Sequence, residues 1–145
     1  MITLPSEVMK IINDPKSSKT IATISKEGRI HTIFMGSMSA FSYDQLAFAH
    51  ILMKRTQLNL IDMHKKGELV SVSVTLEQTS YEIMAKVGEY HTAGPTYEKM
   101  IKELTRLGVK EGLDKHGIKV RGVWILEPME VWNQSPGPNA GTRVV

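Results

Sequence analysis

The most distinctive chemistry in this sequence is a pair of adjacent cations, Lys54 and Arg55, followed directly by Thr56. A strand-like segment precedes them and a segment with helical spacing follows, so the sequence predicts that they start a helix. Cations are unfavourable beside the free N–H groups and partial positive charge of a helix start, unless an anion lies there. A phosphate fits, because arginine binds it bidentately, lysine adds a point charge and threonine a hydroxyl. The alternative is a solvated basic corner in which Thr56 acts only as the N-cap.

The remaining reactive residue types form no recognisable catalytic or metal-binding motif. The sequence has no cysteine, which excludes disulfides, thiolate catalysis and iron–sulfur clusters. Its histidines lack metal-ligand spacing, so we predict no metal site. His50 ends an apolar segment just before the basic corner, where a histidine bonded to the backbone is more typical than a catalytic one. We predict no catalytic side chain. The histidines are His31, His50, His64, His91 and His116.

Two tryptophans, Trp124 and Trp132, lie eight residues apart on the last predicted strand, which places both on the same face. Packing in a core or an interface is the more common role for such residues. The functional alternative is a wall for a flat aromatic ligand.

Composition and charge limit the class of protein. A chain of 145 residues suits one domain, covering residues 1–145 with a turn-rich tail at 134–145. A net charge of +3 is compatible with a phosphate-bearing partner. Aromatic residues are only 6% of the chain and do not alternate with lysine or arginine, which argues against a barrel that binds RNA. Without a signal peptide or a membrane-spanning run, we expect a cytoplasmic protein with no membrane partner.

Hydrophobic periodicity predicts a mainly β (α+β) protein with six strands, two short helices and one longer helix. The longer helix has an apolar face and covers 96–107. Parallel strands would need a helix between most of them, so the short connections favour a barrel or sandwich. The predicted strands are 20–24, 30–41, 46–51, 68–75, 81–90 and 118–132, and the short helices are 6–13 and 56–63.

In this order, the features resemble the FMN-binding split-barrel family, which includes pyridoxamine-phosphate oxidases, flavin reductases and small FMN-binding proteins. Small members carry a Met-x-Lys-Thr-x-x-Asn run, similar to residues 53–59 here with arginine at the lysine position. Residues 84–90 are similar to the family's Val/Ile-x-Gly-x-aromatic strand. The resemblance covers residues 4–133 and implies a six-stranded antiparallel split β-barrel that binds FMN at a homodimer interface.

The resemblance also implies which residues bind the nucleotide cofactor. The phosphate would meet Lys54, Arg55 and Thr56, with Asn59 in the same run. The last strand of the partner subunit would close the site, with Trp132 and the following residues 133–135 as our candidates. The flavin ring of FMN would lie along Ile33, Phe34, Met35, Gly36 and Ser37. The ribityl chain and the edge of the ring would lie at Ala49, His50 and Ile51.

Two departures from the family pattern bear on function. Larger members use an arginine at the start of the second strand for the phosphate, and no arginine occupies a clearly matching place here. The Arg- and His-rich C-terminal motif of pyridoxamine-phosphate oxidases is absent, which argues against vitamin B6 as a substrate. We therefore expect an FMN-dependent oxidoreductase or electron-transfer protein of unknown substrate and electron donor. The alternative is a non-catalytic module that stores or senses FMN or a deazaflavin.

Overall fold

The computed structural model describes residues 2–145 as one antiparallel sheet of seven strands with four helices. The strand order in the sheet is β2-β1-β5-β6-β7-β4-β3, and the two ends of the sheet do not pair with each other. The strands are β1 (Ser18–Ile24), β2 (Ile30–Phe34), β3 (Ser39–Ser42), β4 (Gln45–His50), β5 (Leu69–Leu76), β6 (Thr79–His91) and β7 (Gly122–Asn133). The helices are α1 (Ser6–Ile12), α2 (Arg55–Lys66), α3 (Pro95–Arg106) and α4 (Val109–Lys115).

The predicted class, a mainly β split barrel with antiparallel strands, is confirmed. Alternation in β5 follows the prediction, since Val70, Val72 and Val74 are fully buried while their neighbours are partly exposed. The main hydrophobic core lies inside the curved sheet. A second, smaller core lies between the sheet and α3, where Met100 and Leu104 are buried.

The prediction of six strands was wrong by one, because the single strand predicted at 30–41 is two strands. Residues 35–38 turn inward between them, and the Met38 side chain is completely buried. The turn is held by a bond from the Met38 N–H to the Met35 carbonyl, 3.0 Å long. The buried ammonium group of Lys19 also donates to the Met38 carbonyl at 2.9 Å. Burying this methionine favours the turn over a continuous strand.

A bulge in β7 reverses the direction of its side chains. Met84 of β6 pairs with Glu130, but the next residue, Ala85, pairs with Pro128, so β7 has one extra residue between them. Trp124 lies in the main core before the bulge, and after it Val131 occupies the core instead of Trp132. The prediction that both tryptophans share a face was therefore wrong.

The helices also differ in part from the prediction. The longer helix at 96–107 is confirmed as α3, but α2 has the same length of 12 residues. It continues to Gly67, whose φ of 70° ends it in a left-handed conformation. We predicted no helix at the position of α4, which contains Gly112 and has no buried residue. No helix in residues 2–145 combines the length and the hydropathy needed to cross a membrane.

Candidate functional site

The basic corner lies in the first turn of α2, as predicted. Lys54 is the N-cap residue and Arg55 the first residue of the helix, and both are exposed. Thr56 comes next, only 1% exposed, and its Oγ1 atom has no hydrogen-bond partner among residues 2–145. Because the helix starts before Thr56, the alternative in which this threonine is the N-cap is wrong. No acidic residue lies in the first turn, so the corner has cations, free N–H groups and a free hydroxyl but no built-in anion.

A basic cavity of about 470 Å³ lies between α2 and the β1–β2 hairpin. Arg55 and Asn59 from the predicted set line it together. Asn59 also donates from Nδ2 to Thr23 Oγ1 at 3.0 Å, which fixes α2 against β1. Of the two carboxylates in the lining, that of Asp62 is paired with Lys66 at 3.0 Å. The further cationic side chains in the lining are Lys26, Arg29 and Lys65.

Arg29 was not among the predicted site residues, because residues 26–29 were interpreted only as a hairpin turn. In the structure Arg29 directly precedes β2 and lines the same cavity as Arg55. An arginine is therefore present at the start of the second strand, where none had been identified. Its position after the turn glycine, Gly28, was the available signal.

A second, apolar cavity of about 370 Å³ collects the residues predicted to contact the ring. Its only hydroxyl group, on Ser37, accepts a hydrogen bond from the Ala49 N–H at 2.9 Å. None of its lining side chains titrates. Leu104 and Val109, which lie near the junction of α3 and α4, also line this cavity but were not among the predicted site residues. The full lining is Ile33, Phe34, Met35, Gly36, Ser37, Ala49, Ile51, Leu52, Met53, Leu104 and Val109.

The two cavities adjoin the same edge of the molecule. Ile30 and His31 of β2 line the basic cavity, while Ile33 and Phe34 of the same strand line the apolar one. Met53 lines the apolar cavity, and Arg55, two residues later, lines the basic one. The arrangement suits an elongated ligand with an anionic group at one end and a flat apolar group at the other.

Comparison with solved structures identifies the fold. HupZ from Group A Streptococcus superposes with a TM-score of 0.68 at 19% identity, over 97% of this chain and 100% of that one. An FMN-binding protein from Syntrophomonas wolfei gives 0.69 at 12% identity, over 89% and 87%. A protein from Lactobacillus delbrueckii, provisionally named a pyridoxamine 5'-phosphate oxidase, gives 0.65 at 17% identity, over 90% and 93%. This chain has the pyridoxamine 5'-phosphate oxidase-like split-barrel fold. No protein-family model matches the sequence, and no curated protein matches it.

Four residues of the predicted set lie outside the linings of both cavities of this split barrel, as do residues 133–135: Lys54, Thr56, His50 and Trp132. His50 is on the opposite face of β4 from Ala49 and Ile51, because side chains alternate along a strand. Trp132 donates from Nε1 to Glu130 at 2.9 Å, and the guanidinium of Arg143 lies 5.9 Å from the centre of its ring. The contribution of Trp132 to the site of a partner subunit stays a prediction.

His50 instead belongs to a hydrogen-bonded group behind the basic corner. Its Nδ1 atom lies 2.6 Å from the Tyr90 hydroxyl. The Tyr90 ring lies 4.8 Å from the Trp124 ring, measured between centres. Trp124 in turn donates from Nε1 to Gln57 Oε1 at 2.8 Å. Burial, and secondarily the charge of Arg121, lowers the pKa of His50, so the imidazole is neutral near pH 7.

Gly122 makes this group possible. It pairs with His50 across β4 and β7, and a Cβ atom at this position would lie 2.3 Å from the Tyr90 ring. Any larger residue would therefore displace the tyrosine from the backbone of β7. The sequence offered no signal for this contact, because it joins residues distant in the chain.

Proposed function

We propose that this chain binds FMN, with the phosphate at the first turn of α2 and the ring in the apolar cavity. The observation that carries the proposal is the buried, unpartnered hydroxyl of Thr56. Leaving such a group unpaired costs about 1–3 kcal/mol, which a phosphate oxygen would recover by accepting a hydrogen bond from the hydroxyl. The same oxygens would meet the exposed cations of Lys54 and Arg55, and Arg29 is near enough to line the same cavity as Arg55.

The apolar cavity supports a ligand whose other end is flat and uncharged. Its lining of aliphatic, methionine and phenylalanine side chains has no charge to bind a carboxylate or a second phosphate. FMN combines such a ring system with one phosphate. The split-barrel fold supports the same cofactor, since one neighbour of the fold is an FMN-binding protein.

A homodimer is part of the proposal, because the edge strand beside both cavities is apolar and exposed. Ile30 and Phe34 are each 78% exposed on β2, which has an unpaired edge. Exposed apolar residues on an edge strand favour association with another chain. Light scattering should show a dimer that Phe34→Asp dissociates and that Tyr43→Asp, at another exposed aromatic residue, leaves intact. A monomeric unsubstituted chain would contradict this part of the proposal.

We further propose that the bound flavin serves in oxidation and reduction. When bound, FMN supplies hydride and electron chemistry, while the protein supplies binding, orientation and exclusion of water. The absence of titratable groups in the lining of the apolar cavity fits this division of roles. Reduction of the bound flavin by NADH or NADPH, followed by reoxidation by an acceptor, would support turnover. Binding without reduction by either donor would favour the storage or sensing alternative.

The decisive experiment compares FMN with riboflavin, which lacks the phosphate, by calorimetry. FMN should bind at least about tenfold more tightly, equivalent to about 1.4 kcal/mol. Replacing Lys54 and Arg55 together by alanine should weaken FMN binding by about 2–4 kcal/mol and leave riboflavin unaffected. Lys10→Ala with Lys16→Ala removes the same charge from exposed residues outside both cavities and serves as the control.

Three results would count against the proposal. A purified protein that is colourless and ignores added FMN would refute flavin binding. Equal affinity for FMN and riboflavin would show that the corner does not bind the phosphate. Mass spectrometry of a heat-released deazaflavin would replace FMN by the alternative cofactor.

A further inference from the structure

The segment that carries the candidate phosphate ligands is attached at both ends to other strands by side-chain hydrogen bonds. We name residues 51–57 the corner segment, which covers the link from β4 to α2 and the first residues of that helix. His50 directly precedes it and bonds the Tyr90 hydroxyl through Nδ1 at 2.6 Å, and Trp124 bonds Gln57 at its end at 2.8 Å. The candidate phosphate ligands, residues 54–56, lie between these two attachments. Their position therefore depends on the residues behind them.

We propose that Tyr90, His50 and Trp124 are positioning residues, which fix the corner segment so that its cations and free hydroxyl face a phosphate. This inference rests on the proposed function. None of the three lines either cavity, so each would act through the corner segment and not by touching the ligand. Supporting contacts of this kind hold binding groups within the small tolerances that charge-assisted bonds require.

Hydrogen bonding fixes the orientation of the His50 ring. Its Nδ1 atom bonds the Tyr90 hydroxyl at 2.6 Å, and the main-chain carbonyl of His50 accepts a bond from the Arg121 N–H at 2.8 Å. Rotation of the ring would break the first bond, and a shift of the main chain at residue 50 would break the second. The histidine thereby transmits the position of Tyr90 to the corner segment.

Tyr90 is itself held rigidly by its neighbours. Its ring contacts that of Trp124, and the missing side chain at Gly122 gives it space against β7. Trp124 is 3% exposed and belongs to the main core, so its indole N–H is a fixed donor for Gln57. Both attachments of the corner segment thus start from the same rigid pair of aromatic rings.

The test removes one hydrogen-bonding group at a time and measures the dissociation constants of both FMN and riboflavin. Tyr90→Phe keeps the ring but loses the bond to His50, and Trp124→Phe loses the bond to Gln57. Each should raise the dissociation constant for FMN about three- to tenfold, the usual effect of one hydrogen bond, and that for riboflavin less than about twofold. The ³¹P resonance of bound FMN should shift in both variants, because the surroundings of the phosphate change.

Tyr97→Phe is the matched control, because it removes the same kind of atom from a bond elsewhere. The Tyr97 hydroxyl donates to the Val120 carbonyl at 2.7 Å and forms none of the hydrogen bonds that attach the corner segment. This variant should preserve the ratio of FMN to riboflavin affinity and the ³¹P resonance. If Trp124→Phe fails to fold, Gln57→Leu removes the same bond from a residue that is only partly buried.

The outcomes separate this inference from the proposed function. If the unsubstituted chain binds FMN and riboflavin equally, the proposed function fails, and this inference fails with it. If the preference for FMN is present and survives both Tyr90→Phe and Trp124→Phe, only the inference is overturned. Equal weakening of both ligands would show a general effect on the fold, which also overturns it.

Discussion

Thr56→Val separates binding from stability in a single substitution. Valine keeps the shape of threonine but removes the Oγ1 atom, which is buried and has no partner. Removing an unsatisfied buried hydroxyl should stabilise the ligand-free protein by about 1–2 kcal/mol, within the usual cost of leaving such a group unpaired. For a chain of this size that raises the melting temperature by about 2–8 °C. FMN affinity should fall about tenfold or more, because a hydrogen bond to a charged group is lost.

The assay is thermal unfolding without ligand, together with calorimetric titration with FMN. Thr23→Val is the control, since the Thr23 hydroxyl is equally buried but accepts a bond from Asn59 Nδ2 at 3.0 Å. Its removal leaves that amide unpaired and should destabilise the protein. If Thr56→Val also destabilises the ligand-free chain, the hydroxyl has a structural partner and our reasoning is refuted.

Three further predictions concern the residues around the site. His50 has a lowered pKa, so stability should be full above its unfolded value of about 6.5 and should decline as the pH falls through the folded-state value; thermal unfolding of His50→Gln should lack this decline. Gly122→Ala should destabilise the protein by displacing Tyr90, whereas Gly36→Ala, with open space around it, should leave the unfolding midpoint unchanged. Lys19→Met should lower the free energy of unfolding by about 1–3 kcal/mol in denaturant titrations, because two buried main-chain carbonyls lose their donor.

The sequence predicted those parts of the site that depend on neighbours in the chain. The corner at Lys54, Arg55 and Thr56 was recognisable because strand, cations and helix follow one another directly. The ring-contacting set at 33–37 came from the family resemblance, and the structure gathers it into one cavity. Short-range order was sufficient for the corner, whereas the second set depended on the resemblance.

Features that depend on distant residues were not predictable in the same way. The turn at residues 35–38 is held by a bond from the buried Lys19. A lysine in a predicted strand gives no sign that it will be buried. The environment of His50 depends on Tyr90, 40 residues away, and on the space left by Gly122. The positions of these residues become evident only when the sheet is assembled.

The bulge in β7 allows one strand to meet two unrelated packing demands. Before it, the strand presents Trp124 to the interior, and after it presents Val131, leaving Trp132 to the C-terminal tail and Arg143. If β7 kept all its residues but paired without the bulge, Glu130 would lie opposite Ile83, in the place that Val131 now occupies, and Trp132 would turn to the interior. Burying an unpaired carboxylate in this way is costly. The single extra residue therefore decides which half of the outer side chains faces the core, and it protects the strand against a slip of register by one place.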